Sequence, residues 1–272
     1  MRRGLWLTVA LVTACSTLLA AQSRRSDRPR SDAEWCDEGG RSRDRLYRNC
    51  EVRESTMPGN NPIDIDAGRN GGIRVRGWDR PEVHVRARIV GYSETQGGAR
   101  SLTSAVRIET SGSNVRADGP STRNDENWSV SFEIDMPRTA MMSLHAHNGG
   151  IVIEDFRGTA KFDTRNGGIS LRDVSGDIRG ETTNGGVTVD LSGDHWDGVG
   201  LDVETRNGGV RLNVPDNYSA SLEAGTVNGG INIDFPVTVQ GRFTRELKTT
   251  LGSGGARLRV VTTNGGVSIR RR

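Results

Sequence analysis

The chain has 272 residues, of which 33% are apolar and 5% aromatic, with 36 glycines and a formal net charge of +3. So thin an apolar content argues against a compact sandwich core and suits repetitive β structure with many tight turns. Thirty-five of the 37 basic residues are arginine and they are dispersed, which gives no clustered basic footprint for nucleic acid.

Arg2 and Arg3 followed by an uncharged, largely apolar stretch from Gly4 to Ala21 have the pattern of an export signal. Two processing readings stay open. Cleavage near Ala20 or Ala21 accounts for the apolar run after Cys15, whereas Val12-Thr13-Ala14-Cys15 fits a lipobox and makes Cys15 a candidate lipidation site. Removing residues 1–21 as a signal lowers the net charge from +3 to +1, because Arg2 and Arg3 leave with it. Residues 22–34 are polar and aperiodic and read as a flexible spacer. Residues 35–62 hold Cys36 and Cys50, an even pair once Cys15 is set aside. In an exported protein they are expected to form a disulfide closing a loop of about 15 residues.

Residues 63–272 carry the main signal, an internal repeat. Asn-Gly-Gly begins at Asn70, Asn148, Asn166, Asn184, Asn207, Asn228 and Asn264, with successive spacings of 78, 18, 18, 23, 21 and 36 residues. Each copy is followed by an apolar–x–apolar pair, from Ile73/Val75 to Val267/Ile269, the period of a strand with one buried face. The predicted fold is all-β: a single-stranded β-helix, or β-solenoid, with structural Asn-Gly-Gly corners and coils about 4.8 Å apart. The competing architecture is an antiparallel β-sandwich or barrel, since Asn-Gly between alternating runs is also a hairpin signal. Parity carried through Phe162-x-Thr164 and Val203-x-Thr205 points each Asn inward as a ladder, with glycines of positive φ making the bend. Gly252-Ser253-Gly254-Gly255 reads as a degenerate corner. Residues 78–137 interrupt the repeat as longer irregular coils or a cap, with a short helix near Ala99 to Ala105.

No catalytic constellation emerges, and no enzyme activity, cofactor or metal is expected. His145 and His147 share a strand face but lack a third ligand, and the aspartate that calcium-binding β rolls require after Gly-Gly is missing. His195, Trp196 and Asp197 lie in the insertion that lengthens one repeat to 23 residues. They are candidate partner contacts if the Trp is exposed, and a bulged loop covering the neighbouring coil if it is not. Paired acids on successive coils leave a polysaccharide-acting enzyme as the alternative function.

The string of Asn-Gly-Gly-[Ile/Val]-x-[Ile/Val/Leu] units, most regular in HNGGIVIEDFRGTAKFDTRNGGISLRDVSGDIRGETTNGGVTVDLSG and the final VTTNGGVSIRR, resembles a bacterial adhesin-like domain family of unknown function. That family is related to adhesin head domains described by a Gly-Ile-Asn motif. The resemblance spans roughly Ile63 to Ile269 and implies a non-enzymatic envelope scaffold that binds a protein, a glycan or an envelope surface. It carries no ligand residues to transfer. The expected partners exclude nucleic acid, and the membrane enters only through the signal or a lipid anchor.

Overall fold

The computed structural model describes residues 30–38, 46–59, 62–123, 125–236 and 245–272; the signal, Cys15 and most of the spacer lie outside them. The chain begins with α1 (Asp32–Asp37), β1 (Tyr47–Pro58), β2 (Ile63–Asp66), β3 (Ile73–Trp78) and β4 (Glu82–Ser93). Then come α2 (Gln96–Ala105), β5 (Arg107–Ser111), β6 (Asn114–Asp118) and β7 (Asn127–Pro137). The regular region follows as β8 (Met141–Ala146), β9 (Ile151–Phe156), β10 (Thr159–Asn166), β11 (Ile169–Val174), β12 (Asp177–Asn184) and β13 (Val187–Asp190). It ends with β14 (Gly200–Asn207), β15 (Val210–Val214), β16 (Ala220–Asn228), β17 (Ile231–Ile233), β18 (Glu246–Leu251), β19 (Arg257–Asn264) and β20 (Val267–Arg271).

These strands form two ten-stranded sheets, one ordered β1-β4-β7-β3-β9-β11-β13-β15-β20-β17 and the other β18-β16-β19-β14-β12-β10-β8-β2-β6-β5. Every Asn-Gly-Gly links a strand of the second sheet to one of the first. Successive coils pair in parallel at a constant offset, as in Thr159↔Asp177 and Ile169↔Val187. The fold is therefore all-β and solenoid-like, and neither a hairpin meander nor a closed barrel. The apolar–x–apolar pairs after each corner face inward; all but Ile231 and Ile233 of the outermost coil are buried. Between coils the packing is complementary in size: the Phe162 ring occupies the space that a side chain at Gly180 would need, filling the core without a void.

The corners correct two expectations. Gly167 and Gly185 do not have positive φ; glycine is required there because a Cβ would be built into the carbonyl of Gly149 or Gly167 on the adjacent coil. The Asn side chains, moreover, stay at the outer rim, exposed at six of the seven corners. The inward position belongs to the threonine two residues earlier. Thr164, Thr182, Thr205, Thr226 and Thr262 are buried, and each hydroxyl donates to the carbonyl of a first corner glycine at 2.7–2.8 Å. With that carbonyl satisfied from inside, the chain bends after the threonine and turns the Asn outward. The ladder itself is present: Asn148 donates to Asn70, Asn166 to Asn148, Asn184 to Asn166, Asn207 to Asn184, Asn264 to Asn207 and Asn228 to Asn264, at 2.7–3.0 Å.

That order shows that the coils do not stack in sequence throughout. The β19–β20 coil is threaded between β14–β15 and β16–β17. Gly252 to Gly255 form no corner; Gly252, Gly254 and Gly255 have positive φ in the turn after β18, which pairs antiparallel with β16 at the sheet edge. At the other end, residues 78–137 contain β4, α2, β5, β6 and β7. β7 extends the first sheet parallel to β3, β4 adds antiparallel to β7 and β1 joins β4 antiparallel over twelve residue pairs, while the β5–β6 hairpin extends the second sheet. Helix α2 packs on β4 beside Gly91, where a Cβ would crowd Ala99, Leu102 and Thr103.

The spacer ends earlier than the sequence suggests. Ser31 and Glu34 form a capping box that starts α1 at Asp32, satisfying the orphan amides of a short helix. Trp35 is buried beneath the guanidinium groups of Arg30, Arg86 and Arg88, and Arg86 bonds Asp32, Glu54 and Glu133. Cys36 and Cys50 are disulfide-bonded with Cα atoms 5.8 Å apart, tying α1 to β1.

Gly185→Ala is expected to destabilise the protein by about 1–3 kcal/mol through backbone overpacking. Gly230→Ala, where no atom lies within 4 Å of the added carbon, should leave the urea midpoint within experimental error; equal losses at both sites would remove the stacking explanation. Cys50→Ala should lower unfolding free energy by about 3 kcal/mol, read from denaturant curves under oxidising conditions, with no such loss for a protein already reduced.

Candidate functional site

Because core and corner fix the inward positions, chemistry is left to the outer faces. Outward side chains on the second sheet form columns that run across the coils, about 4.8 Å per step. Three residues before each Asn, the column reads His145, Asp163, Glu181, Glu204, Val261 and Gly225 in spatial order. The carboxylates give way to an isopropyl group and then to no side chain. This taper opens a cleft of about 570 Å³ whose lining includes Glu181, Glu204, Arg206, Gly225, Arg259 and Val261. Arg245 and Glu246, at the start of β18, form one wall. A shallower depression of about 230 Å³ continues it along Lys161, Arg179 and Asp202.

Most charges around the cleft are held in place. Arg259 bonds Asp202 at 2.6 Å and Glu204 at 3.4 Å. Burial works against its charge, but these two carboxylates outweigh it and raise its pKa. Glu223 accepts from Arg257 at 2.6 Å, a hydrogen bond that lowers its pKa despite partial burial. Arg206 and Arg245 form no ion pair among the described residues. The cleft is thus an apolar floor between fixed carboxylates and two unneutralised guanidiniums, suited to holding a polar molecule with an apolar face.

A second cavity of comparable size lies on the first sheet, about 470 Å³ beside α1. Its cations are consumed locally: Arg74 and Arg172 by Glu154, Arg76 by Asp135, and Arg86 by Glu133. Through the Arg86–Asp32 bond that network also fastens α1 to the first sheet. Outward residues of the same sheet, such as Ser170, Thr188 and Arg211, form a register-matched row without a depression.

The 23-residue repeat places its residues differently from the partner-contact reading. Trp196 is buried at 4% exposure and its indole N–H donates to the Gly176 carbonyl at 3.0 Å, so it covers the neighbouring coil and presents nothing to a partner. His195 is exposed between Asp194 at 2.6 Å and Asp197 at 2.9 Å. Hydrogen bonds that the imidazole donates, first to Asp194 and then to Asp197, raise its pKa, while the same bond lowers that of Asp194. The loop is anchored where the Ser219 amide donates to the Asp194 carbonyl at 2.7 Å.

Acids at the opposite corners are structural. Asp155 and Asp173 adopt φ of 56° and 50°, a left-handed conformation that Asp tolerates better than most residues. Burial and a hydrogen bond with Asp173 push the Asp155 carboxyl up. Asp173 feels burial too, but bonds from Ser192 and Arg157 hold it low. His145 is engaged by Asp163 at 2.6 Å and Ser143 at 3.0 Å, leaving His147 apart. Among the described residues no three His, Cys, Asp or Glu side chains converge as metal ligands.

The cleft was missed in the sequence, although the tapering column is written there as the residue three places before each Asn. Its spatial order depends on the threaded β19–β20 coil, which puts Val261 between Glu204 and Gly225.

The architecture is that of a two-sheet, solenoid-like all-β scaffold with a corner ladder. The chain belongs to the Toastrack DUF4097 family, whose profile matches residues 99–270. No curated protein matches it. Among solved structures it is similar to a candidate cell adhesion protein of Clostridium sporogenes (10% identity, TM-score 0.36, covering 82% of this chain and 100% of that one). It is also similar to a candidate adhesin of Bacteroides fragilis (10%, 0.39, 82% and 97%). A candidate lipid-binding protein of Parabacteroides distasonis is similar too (12%, 0.36, 82% and 97%).

A histidine titration by NMR should place His195 above the usual value near 6.5, and Asp194→Asn should lower it. Since the folded-state value is the higher one, any stabilisation from this pair is complete below about pH 6.5 and fades as pH rises through the raised value. A value at or below 6.5 in the parent protein would mean that the loop is not formed as described.

Proposed function

We propose that this protein is a non-enzymatic binding scaffold of the cell envelope, a single-stranded β-helix that holds its ligand in the cleft on the second sheet. The observation that carries the reading is the tapering column, which turns an otherwise regular outer face into one depression flanked by Arg206, Arg245 and Arg259. Location outside the cytoplasm is supported by the signal-like residues 1–21 and by the Cys36–Cys50 disulfide, since such bonds persist in oxidising compartments. Among the described residues no helix is long and apolar enough to cross a membrane. A glycan is the ligand class favoured here: a pyranose offers an apolar face to Val261 and Gly225 and hydroxyls to the surrounding carboxylates and guanidiniums.

Gly225 supplies the test. A side chain added there meets Val261 Cγ1 at 3.4 Å and the Arg245 carbonyl at 3.8 Å, ordinary contacts that the fold accepts. Gly225→Leu should fill the cleft and reduce retention on a panel of immobilised envelope polysaccharides at least tenfold, with the melting temperature unchanged. Undiminished retention would remove the cleft from the binding site. Release of reducing ends from the same panel, abolished by Glu204→Gln, would instead make the Glu181–Glu204 pair an acid and its partner, and the protein an enzyme.

A further inference from the structure

The residue immediately before each corner Asn forms a second outward column: Arg69, His147, Arg165, Thr183, Arg206, Thr263 and Val227 in spatial order, following the Asn ladder. Arg69, Arg165 and Arg206 are exposed and form no ion pair among the described residues. This sets them apart, because the arginines of the neighbouring columns are neutralised: Arg116 by Asp64, Arg179 by Asp177, Arg257 by Glu223 and Arg259 by Asp202. The adjacent acidic column makes its bonds elsewhere. Asp163 bonds His145 and Glu204 shares Arg259 with Asp202, so neither forms an ion pair with an arginine of the stripe. The result is a line of uncompensated cations along the coil axis, ending in the cleft at Arg206.

Beside that line runs the ladder of carboxamides. Each interior Asn spends one N–H and one oxygen lone pair on its neighbours, leaving one N–H and one lone pair exposed to solvent. A surface offering both donor and acceptor at every coil, with a cation at intervals, matches a polymer that carries hydroxyls and regularly spaced anions. A phosphate backbone would use the donors and leave the acceptors idle, and the one aromatic ring of the column, the His147 imidazole, is a single platform where base stacking along a strand needs a succession.

We infer that the Asn rim and the Arg69–Arg165–Arg206 stripe form an extended site for an acidic polysaccharide lying along the solenoid axis. The strand spacing of about 4.8 Å is close to the rise of one sugar unit in an extended glycan, so successive units meet successive coils. Several weak exposed contacts then add along one chain by multivalency. The inference rests on the binding role proposed above and names the ligand class, but it locates most of the contact outside the cleft.

The oxidised protein is titrated with polygalacturonate, neutral dextran of similar length, duplex DNA and anionic phospholipid vesicles at two salt concentrations. Polygalacturonate is expected to bind, weakening as salt rises, while dextran does not bind and DNA and vesicles bind at least tenfold more weakly. The double variant Arg69→Gln/Arg165→Gln should lose at least tenfold of polygalacturonate affinity with its melting temperature unchanged. Arg211→Gln, on the opposite sheet, should lose none. Equal losses in both variants, DNA or vesicles binding as tightly as polygalacturonate, or no polygalacturonate binding would each overturn the proposal. Gly225→Leu separates the two readings: polygalacturonate binding that survives it yet falls with the double variant keeps the stripe and discards the cleft, and the reverse pattern keeps the cleft alone.

Discussion

At six of the seven corners the backbone of one coil approaches the next so closely that a glycine carbonyl occupies the place of the next glycine's missing Cβ. At five of those six the carbonyl keeps a partner, the hydroxyl of a buried threonine from the following coil; Ala146 stands in that place at the sixth. A buried carbonyl without a partner would cost about 1–3 kcal/mol. The approach also fixes the strand register, aligns the apolar pairs of the first sheet over one another and brings the Asn side chains within bonding distance. Core, sheets and rim follow from one steric constraint satisfied by one hydrogen bond.

How much of this could be read in advance differs from element to element. The alternation after each Asn-Gly-Gly and the 18-residue steps are local consequences of strand geometry, and they made the parallel two-faced stacking legible. The direction of the Asn side chains was not, because strand parity does not reveal that Thr164 or Thr182 already serves the inward carbonyl. Nor could the place of β19–β20 be read: pairings between residues 57 apart leave no local trace. For Trp196 the sequence offers both an exposed contact and a loop covering the neighbouring coil, and the Gly176 carbonyl beside its indole selects the second. The Ser31–Glu34 capping box was present in the sequence but was masked by the charged residues around it.

A scaffold whose inward positions are fixed and whose outward positions are free separates fold from ligand chemistry. The columns before each Asn show that freedom. One passes from His145 through three acids to Val261 and Gly225, and the other carries three unpaired arginines beside threonines. Neither column bears on the core, so either can change without cost to the corners. This is why the repeat itself says little about what the surface holds.

The threaded coil has a consequence for how the chain comes to be folded. A solenoid whose coils stack in order can grow one coil at a time, each new strand finding a finished edge. Here β14 and β15 must keep their pairing edges unfilled while β16, β17 and β18 are made, and receive their neighbours only when Arg257–Arg271 arrives. Assembly of that half therefore waits for nearly two hundred and seventy residues of chain, and such non-local closure is slow. The half that bears the cleft closes only once its last strands have been made.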